Sequence, residues 1–282
     1  MINLQQAVRP AVESDRMQIA NLIYFEPHVH RHLDWRGPLD WLGAPEYWVL
    51  EQFGSVVAAL ACPPDPEDVA WLRLFAHASA LPVEAAWASL WETARTALQG
   101  RGLTVAAITV SDWLKALLTE SGFTGGQQIV VLEQSAVPFA DRPLPPEIQL
   151  RPMLAADLPA VAVVDAAGFA HLWRNSLTTL HCGLSQAGFA TVAERDGEIL
   201  GYQISTRSSF GAHLARLAVL PGLQRQGLGY LLVQDLLHQT RGAGLFRLTV
   251  NTQNDNAASL ALYQKIGFRL TGERYQVFTH TL

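Results

Sequence analysis

The chain has 282 residues, 49% of them apolar, a formal net charge of −5 at neutral pH and two cysteines. A chain of this length can bury a large core and, at roughly 150 residues per domain, is expected to form two domains. It has no run of about 18 or more uncharged apolar residues and no basic stretch leading into an apolar core, so neither a membrane span nor a signal peptide is expected and the protein reads as cytoplasmic. Its Lys and Arg residues are scattered, which gives no electrostatic footprint for nucleic acid. Cys62 and Cys182 fall in different halves without metal-ligand spacing and read as buried thiols.

Taken in chain order, the first segment is Val8-Arg9-Pro10-Ala11-Val12-Glu13-Ser14-Asp15, and it reappears as Leu150-Arg151-Pro152-Met153-Leu154-Ala155-Ala156-Asp157. Each copy reads as a short strand entering a helix, over 17–24 and 158–167, with the Asp placed to cap it. Later landmarks pair as well: Leu72-Arg73-Leu74 with Ala215-Arg216-Leu217, and Ser121-Gly122-Phe123 with Ile266-Gly267-Phe268. The offsets are 142 from Arg9 to Arg151, 143 from Leu74 to Leu217 and 145 from Gly122 to Gly267, as a tandem duplication requires. Between the copies the prolines Pro138, Pro143, Pro145 and Pro146 stiffen the chain. The expected organisation is a domain over 1–136, a linker over 137–147 and a second domain over 148–282.

In the second copy, apolar runs over 189–194 and 199–205 flank Arg195-Asp196-Gly197-Glu198, a tight-hairpin signal. A strand over 213–220 follows, then a helix from about Leu228 with Leu228, Leu231, Leu232 and Leu236 on one stripe. Gly242 and Gly244 end it. A strand over 245–250, a helix over 256–265 stopped by Gly267 and a strand over 275–281 complete the copy. The segment Leu217-Ala218-Val219-Leu220-Pro221-Gly222-Leu223-Gln224-Arg225-Gln226-Gly227-Leu228-Gly229-Tyr230 is therefore a strand running through a glycine turn into a helix, a geometry that binds phosphates through free N–H groups and the helix dipole. A dinucleotide fingerprint would need a third glycine where Leu232 stands, and the Gly-x4-Gly-Lys loop is absent.

This segment resembles the acetyl-CoA motif of the Gcn5-related N-acetyltransferases (GNAT), (Gln/Arg)-x-x-Gly-x-(Gly/Ala), through Gln224, Gly227 and Gly229. The strand before it, the leucine-striped helix after it and the downstream stretch from Asn254 to Phe268 fit that family in order. The resemblance implies an α/β (α+β) protein of two tandem GNAT folds, each a twisted mixed, mostly antiparallel sheet flanked by helices. It implies acetyl-CoA as acetyl donor, no metal, and transfer by direct attack of a primary amine on a small molecule or peptide; the alternative is a non-catalytic acyl-CoA-binding module. By the same resemblance, Leu217, Ala218 and Val219 pair with the pantetheine and acetyl carbonyl, Gln224, Arg225, Gln226, Gly227, Leu228, Gly229 and Tyr230 hold the pyrophosphate, and Asn256 reaches the pantetheine arm.

Acetyl transfer needs a polarised carbonyl, a proton for the departing sulfur and a base for the amine. The N–H near Val219 suits the first need, and Tyr263, where the family places its acid, suits the second. Related ribosomal-protein acetyltransferases carry a Glu base where this chain has Asn251. His213 matches one of two histidine positions of the arylalkylamine enzymes, Ala215 occupying the other, and an imidazole suits base work near neutral pH; Glu194 and a water relay stay open. Phe169 and Trp173 can wall an apolar acceptor, or turn into the core as one helix face. The first copy reads as degenerate: no Gly-x-Gly turn follows Leu74-Phe75-Ala76, and Leu118 stands where Tyr is expected. His28, His30 and His32 have only Asp34 beside them and read as a surface or domain-contact loop, not a metal site.

Overall fold

The computed structural model of the chain describes residues 6–135 and 138–282; residues 1–5, Ala136 at the end of the expected first domain and Val137 at the start of the expected linker lie outside the described residues. The first stretch builds β1 (Gln6–Pro10), α1 (Arg16–Phe25), β2 (Val29–Arg31), β3 (Tyr47–Gln52), β4 (Ser55–Ala61), β5 (Val69–Trp71), β6 (Leu74–His77), α2 (Val83–Leu98), β7 (Thr104–Thr109), α3 (Asp112–Glu120) and β8 (Thr124–Ser135). The second builds β9 (Gln149–Pro152), α4 (Leu158–Gly168), α5 (Leu177–Ser185), β10 (Phe189–Arg195), β11 (Glu198–Ser208), β12 (Gly211–Val219), α6 (Leu228–Gly242), β13 (Arg247–Gln253), α7 (Ala257–Lys265) and β14 (Arg269–Thr281).

Two compact units result, and their boundaries differ from the expected division at 137–147. One comprises Met1–Gly126 with Gln276–Leu282, the other Gln127–Tyr275. In the first unit the strands run β1-β3-β4-β6-β2, and β7 pairs with β5 in parallel and with the Gln276–Thr281 part of β14 antiparallel. In the second, β9, β10, β11 and β12 pair antiparallel in turn, β12 pairs β13 in parallel, and the far side of β13 is covered by Ile129–Ser135 of β8. Each unit thus takes one strand from beyond the boundary that the repeat suggests.

The duplication is visible as repeated physical chemistry. Arg9 donates to Asp15 at 2.7 and 2.9 Å and to Glu51 at 2.7 Å; Arg151 donates to Asp157 at 2.7 and 2.9 Å and to Glu194 at 2.7 Å. The two aspartates stand at the starts of α1 and α4 but do not cap them as expected. Their carboxylates accept instead from the backbone N–H three residues earlier, Val12 at 2.9 Å and Leu154 at 2.7 Å, and hold each strand exit against its guanidinium. The hairpins match too: Phe53 and Gly54 have φ of 52° and 76°, Asp196 and Gly197 φ of 51° and 81°, the pair of positive dihedrals that fits the strand twist in a two-residue turn.

The cores follow the periodicity. On α2, Ala86, Trp87, Leu90, Trp91, Ala94 and Leu98 are buried, one helical stripe laid on the sheet. On α6 the expected leucines are buried, but so are Tyr230, Val233, Leu237 and Thr240. The expected linker is docked on this helix rather than free. Phe139 packs against the cluster that includes Tyr230, Val233 and Leu237, Ala140 O accepts from Tyr230 Oη at 2.6 Å, and Arg142 exchanges both backbone hydrogen bonds with the Gln234 amide, at 2.8 and 3.1 Å.

The histidine segment is likewise not a surface loop. His30 is buried in β2 with Nε2 bonded to Leu72 O at 2.9 Å, and His32 stacks on Trp71 with ring centroids 4.7 Å apart. Desolvation pushes the His30 imidazole down to about 4 and His32 well below its ordinary range. Among the described residues no cluster of three His, Cys, Asp or Glu has metal-binding geometry.

Candidate active site

The site is set up by how β12 leaves its neighbour. Ala212, His213 and Leu214 pair with Leu248, Thr249 and Val250 of β13, and the pairing stops there. On its other side β12 stays bonded to β11 as far as Val219 opposite Gly201, with Ala215 bulged out where Ile204 faces Arg216 and Ser205 faces Leu214. A bulge bends and twists a strand. β12 and β13 therefore part just after Leu214. Leu220 N donates to Leu200 O at 2.9 Å on the β11 side, and alternation along a strand turns the N–H groups of Leu217 and Val219 the other way, into the split. The resemblance assigned the backbone of Leu217, Ala218 and Val219 to the donor; of these, Ala218 stands opposite Tyr202 with its N–H turned towards β11, away from the split.

Beyond Val219 the chain makes a short 3-10 turn over Pro221–Leu223 and enters α6 through Arg225 at φ 63° and Gly227 at φ 97°. The second value is strained for any side-chain-bearing residue, which accounts for glycine there. Gln224 is exposed, yet its side chain is tied down: Nε2 donates to Val219 O at 3.1 Å and closes the end of the strand. Gln226 Nε2 donates to Gly222 O at 3.0 Å, tying the turn to itself. Arg225 is exposed. Gly229 is helical, and a Cβ on it would stand 3.3 Å from Leu262 Cδ2, so part of its role is close packing of α6 on α7. Leu228 and Tyr230 are buried and contribute backbone to the turn, not exposed side chains.

Tyr263 is 4% exposed and belongs to a cluster with Leu214 and Val250, the last paired residues before the split, and with Phe268 at 5.5 Å between ring centroids. Burial pushes its phenol above the ordinary value, so it holds its proton. Among the described residues the Tyr263 hydroxyl makes no hydrogen bond, while its carbonyl accepts from Ile266 N and Phe268 N. His213 neighbours Leu214 on β12, so it projects from the opposite face. Its Nδ1 lies 2.9 Å from Thr249 Oγ1, which in turn lies 3.5 Å from Ala212 O. With the hydroxyl donating to that carbonyl, the imidazole proton sits on Nδ1 and the lone pair on Nε2. Burial pushes His213 below its ordinary value and keeps it neutral.

The other expectations fall into place differently. Asn256 caps α7, accepting from Ser259 N at 3.1 Å, with Nδ2 3.4 Å from Gln253 Oε1. Glu194 is bound to Arg151, and Asn251 is exposed on β13. Phe169 and Trp173 are not one helix face, because α4 stops at Gly168 and Trp173 ends a separate 3-10 turn over His171–Trp173. What joins them is Arg216, which sequence reasoning passed over. Its guanidinium lies 3.4 Å from the Phe169 ring centroid, donates to Trp173 O at 2.6 Å and pairs with the fully buried Asp165 at 2.7 and 2.9 Å. Asp165 also accepts from Tyr202 Oη and from Asn175 N. The pattern could have been caught: an Arg inside an apolar strand demands a buried acid.

An open depression of about 610 Å³ is lined by Gln186, Gly188, Arg207, Ser208 and Leu245. It lies by the start of β12, about 25–30 Å of strand from the glycine turn, and is not the split.

The first unit has the same split, with β5 paired to β7 and β6 to β4, but aromatic rings crowd that region. Phe75 of β6 stands 5.1 Å from Trp87 and 6.0 Å from Trp113, and His28 and His77 stack at 5.2 Å. α2 starts straight after Pro82 with no glycine turn, and Leu118 is fully buried.

Comparison with known proteins agrees. The family profile described as "Acetyltransferase (GNAT) family" matches residues 158–268. The [ribosomal protein bS18]-alanine N-acetyltransferase of Escherichia coli K12 is 30% identical over 112 residues, which are 40% of this chain and 74% of that enzyme. A peptidyl-lysine N-acetyltransferase of Salmonella typhimurium is 28% identical over 117 residues, 36% of this chain and 74% of its own. In fold, a tandem GNAT protein from the clavulanic acid biosynthesis pathway superposes with a TM-score of 0.67 at 16% identity, over 98% of each chain. The chain belongs to the acetyltransferase (GNAT) family and is an acetyl-CoA-dependent N-acetyltransferase built from two GNAT folds.

Proposed function

We propose that the second unit carries the whole donor site and passes the acetyl group directly to a primary amine of a small molecule or peptide. The observation that supports this best is the split of β12 from β13, with two backbone donors turned into it and Tyr263 packed at its closed end. When bound, acetyl-CoA supplies the activated acyl group; the chain supplies positions and protons. The glycine turn over 224–230 receives the diphosphate at the start of α6. Leu217 and Val219 orient the pantetheine and donate to the acetyl carbonyl, whose negative charge grows during attack. Tyr263, kept protonated by burial, gives its proton to the sulfur on one face of the sheet. His213, kept neutral with Nε2 free, takes the proton of the amine on the other.

The acceptor side is the segment 169–175, where the Phe169 ring and the Trp173 backbone are fixed by Arg216. Its scarcity of carboxylates fits an acceptor with a single amine. The first copy, 1–136, serves as a structural or substrate-shaping partner joined through 137–147 to the catalytic copy, 148–282, so one acetyl-CoA binds per chain. Two measurements test the reading. Titration calorimetry of the full chain with CoA is expected to give one site, and two equivalent sites would overturn the degenerate role of the first copy. Thiol release from acetyl-CoA is expected with at least one class among amino acids, peptides and small amines; release with none would favour the acyl-CoA-binding alternative.

A further inference from the structure

The docked linker brings a second cation to the donor site. Arg142 is held at both backbone groups by the Gln234 amide, its guanidinium carbon lies 4.1 Å from the centroid of the Tyr230 ring, and that ring is itself fixed by the bond from its hydroxyl to Ala140 O. The guanidinium ends beside the left-handed turn residue: a Cβ on Gly227 would stand 3.5 Å from Arg142 Nη1. Among the described residues no carboxylate pairs with Arg142. The neighbouring linker acid, Asp141, is taken by His238 at 3.0 Å. An arginine positioned by two backbone bonds and a stacked ring, next to the free N–H groups that open a fifteen-residue helix, is a pre-organised anion ligand.

We propose that Arg142 binds the diphosphate of CoA, so that the linker between the copies is part of the donor site. The proposal rests on the donor-site reading given above. Arg225 is the cation that the motif displays, but it is exposed and must be ordered on binding, whereas Arg142 is already in place. Two guanidinium groups flanking one turn match the two negative charges of a diphosphate with fork-shaped donors.

The test is calorimetric titration of the full-length protein and its variants with CoA and with 3′-dephospho-CoA. Arg142→Gln and Arg142→Ala are each expected to weaken both ligands about 10-fold or more, with a shallower dependence of affinity on salt, as loss of a charge-assisted contact requires. Gly229→Glu serves as the control for the turn itself. If Arg142→Gln binds CoA like the wild type while Gly229→Glu does not bind, the proposal falls and the donor-site reading stands. If both variants bind as tightly as the wild type, the donor-site reading falls and takes the proposal with it. A loss confined to CoA, with dephospho-CoA unaffected, would move Arg142 to the 3′-phosphate and overturn the diphosphate assignment. A loss seen in Arg142→Ala but not in Arg142→Gln would assign the effect to packing on Tyr230 and also overturn it.

Discussion

Replacing Tyr263 by Phe separates a packing role from a proton-donating one, because the phenol is buried without a hydrogen-bond partner among the described residues. A bonded buried hydroxyl contributes about 1 kcal/mol, and its loss leaves a partner unsatisfied at about 1–3 kcal/mol. Here neither term arises. The ring keeps its contacts with Phe268 and the surrounding cluster, so Tyr263→Phe is expected to change unfolding free energy by less than about 0.5 kcal/mol, or to raise it. Turnover behaves differently. A positioned general acid is worth about 10²–10⁴-fold, so kcat on an identified amine should fall at least about 10²-fold while acetyl-CoA affinity stays within about 2-fold. Because burial raises the phenol's pKa, the wild-type rate should show no alkaline loss attributable to Tyr263 below about pH 10. The assays are urea denaturation and steady-state thiol release on the same preparations. Wild-type kcat in a stable Tyr263→Phe protein would refute the acid role and leave Tyr263 as core.

If His213 is the base, kcat/KM should fall on the acid side only below about pH 6.5, since burial lowers its pKa, and His213→Gln should remove that limb with a loss of about 10²-fold or more; an unchanged pH profile would return His213 to a structural bond with Thr249. Asp165→Asn leaves the Arg216 charge buried without its counter-ion, and a loss of about 3–5 kcal/mol by urea denaturation is expected; a change under about 1 kcal/mol would contradict the network. The first unit should lose stability in acid through His30. Its folded-state value is about 4 against about 6.5 unfolded, so the unfolded chain binds the extra proton between these limits and stability falls by about 3 kcal/mol as pH drops from 6.5 to 4. His32 shifts in the same direction, and a flat stability profile across that window would count against both.

Most of the second unit was legible because its signals are local. The Asp196–Gly197 hairpin, the α6 stripe and Gly227 each follow from residues within a few positions of one another, and the elements expected from the start of α4 to α7 begin within two residues of expectation, while α5 was not expected at all. β14 was read as starting near 275 but begins at Arg269, since its first half has no alternating pattern. Phe53 in a left-handed turn could not be read from propensity; only its register with Asp196 in the duplicated copy reveals it. The site was legible where backbone chemistry dominates and illegible where distant charges meet. Arg216 with Asp165, and Arg142 with Gly227, are 51 and 85 positions apart, and nothing in their neighbours announces a partner. The histidine segment misled because exposure was inferred from polarity, whereas neutral imidazoles stack on Trp71 and bond a carbonyl as apolar rings with one donor.

The crossed ownership of β8 and β14 bears on how the protein can be made. The first unit is closed by Gln276–Thr281, pairing with β7, so a ribosome delivers its final strand only after residues 127–275 have been made. Domains usually fold as they emerge, the N-terminal one first, but here the nascent first unit must wait with the edge of β7 uncovered while residues 127–275 are being added. At about 5–20 residues per second that delay is of the order of ten seconds. Through that interval Val105, Ala106 and Ala107, fully buried in the finished protein, lie on an open strand edge, the kind of surface that recruits chaperones or another nascent chain. Severing the gene at the proline-rich segment would make the wait permanent, since each fragment would then carry the strand that the other lacks.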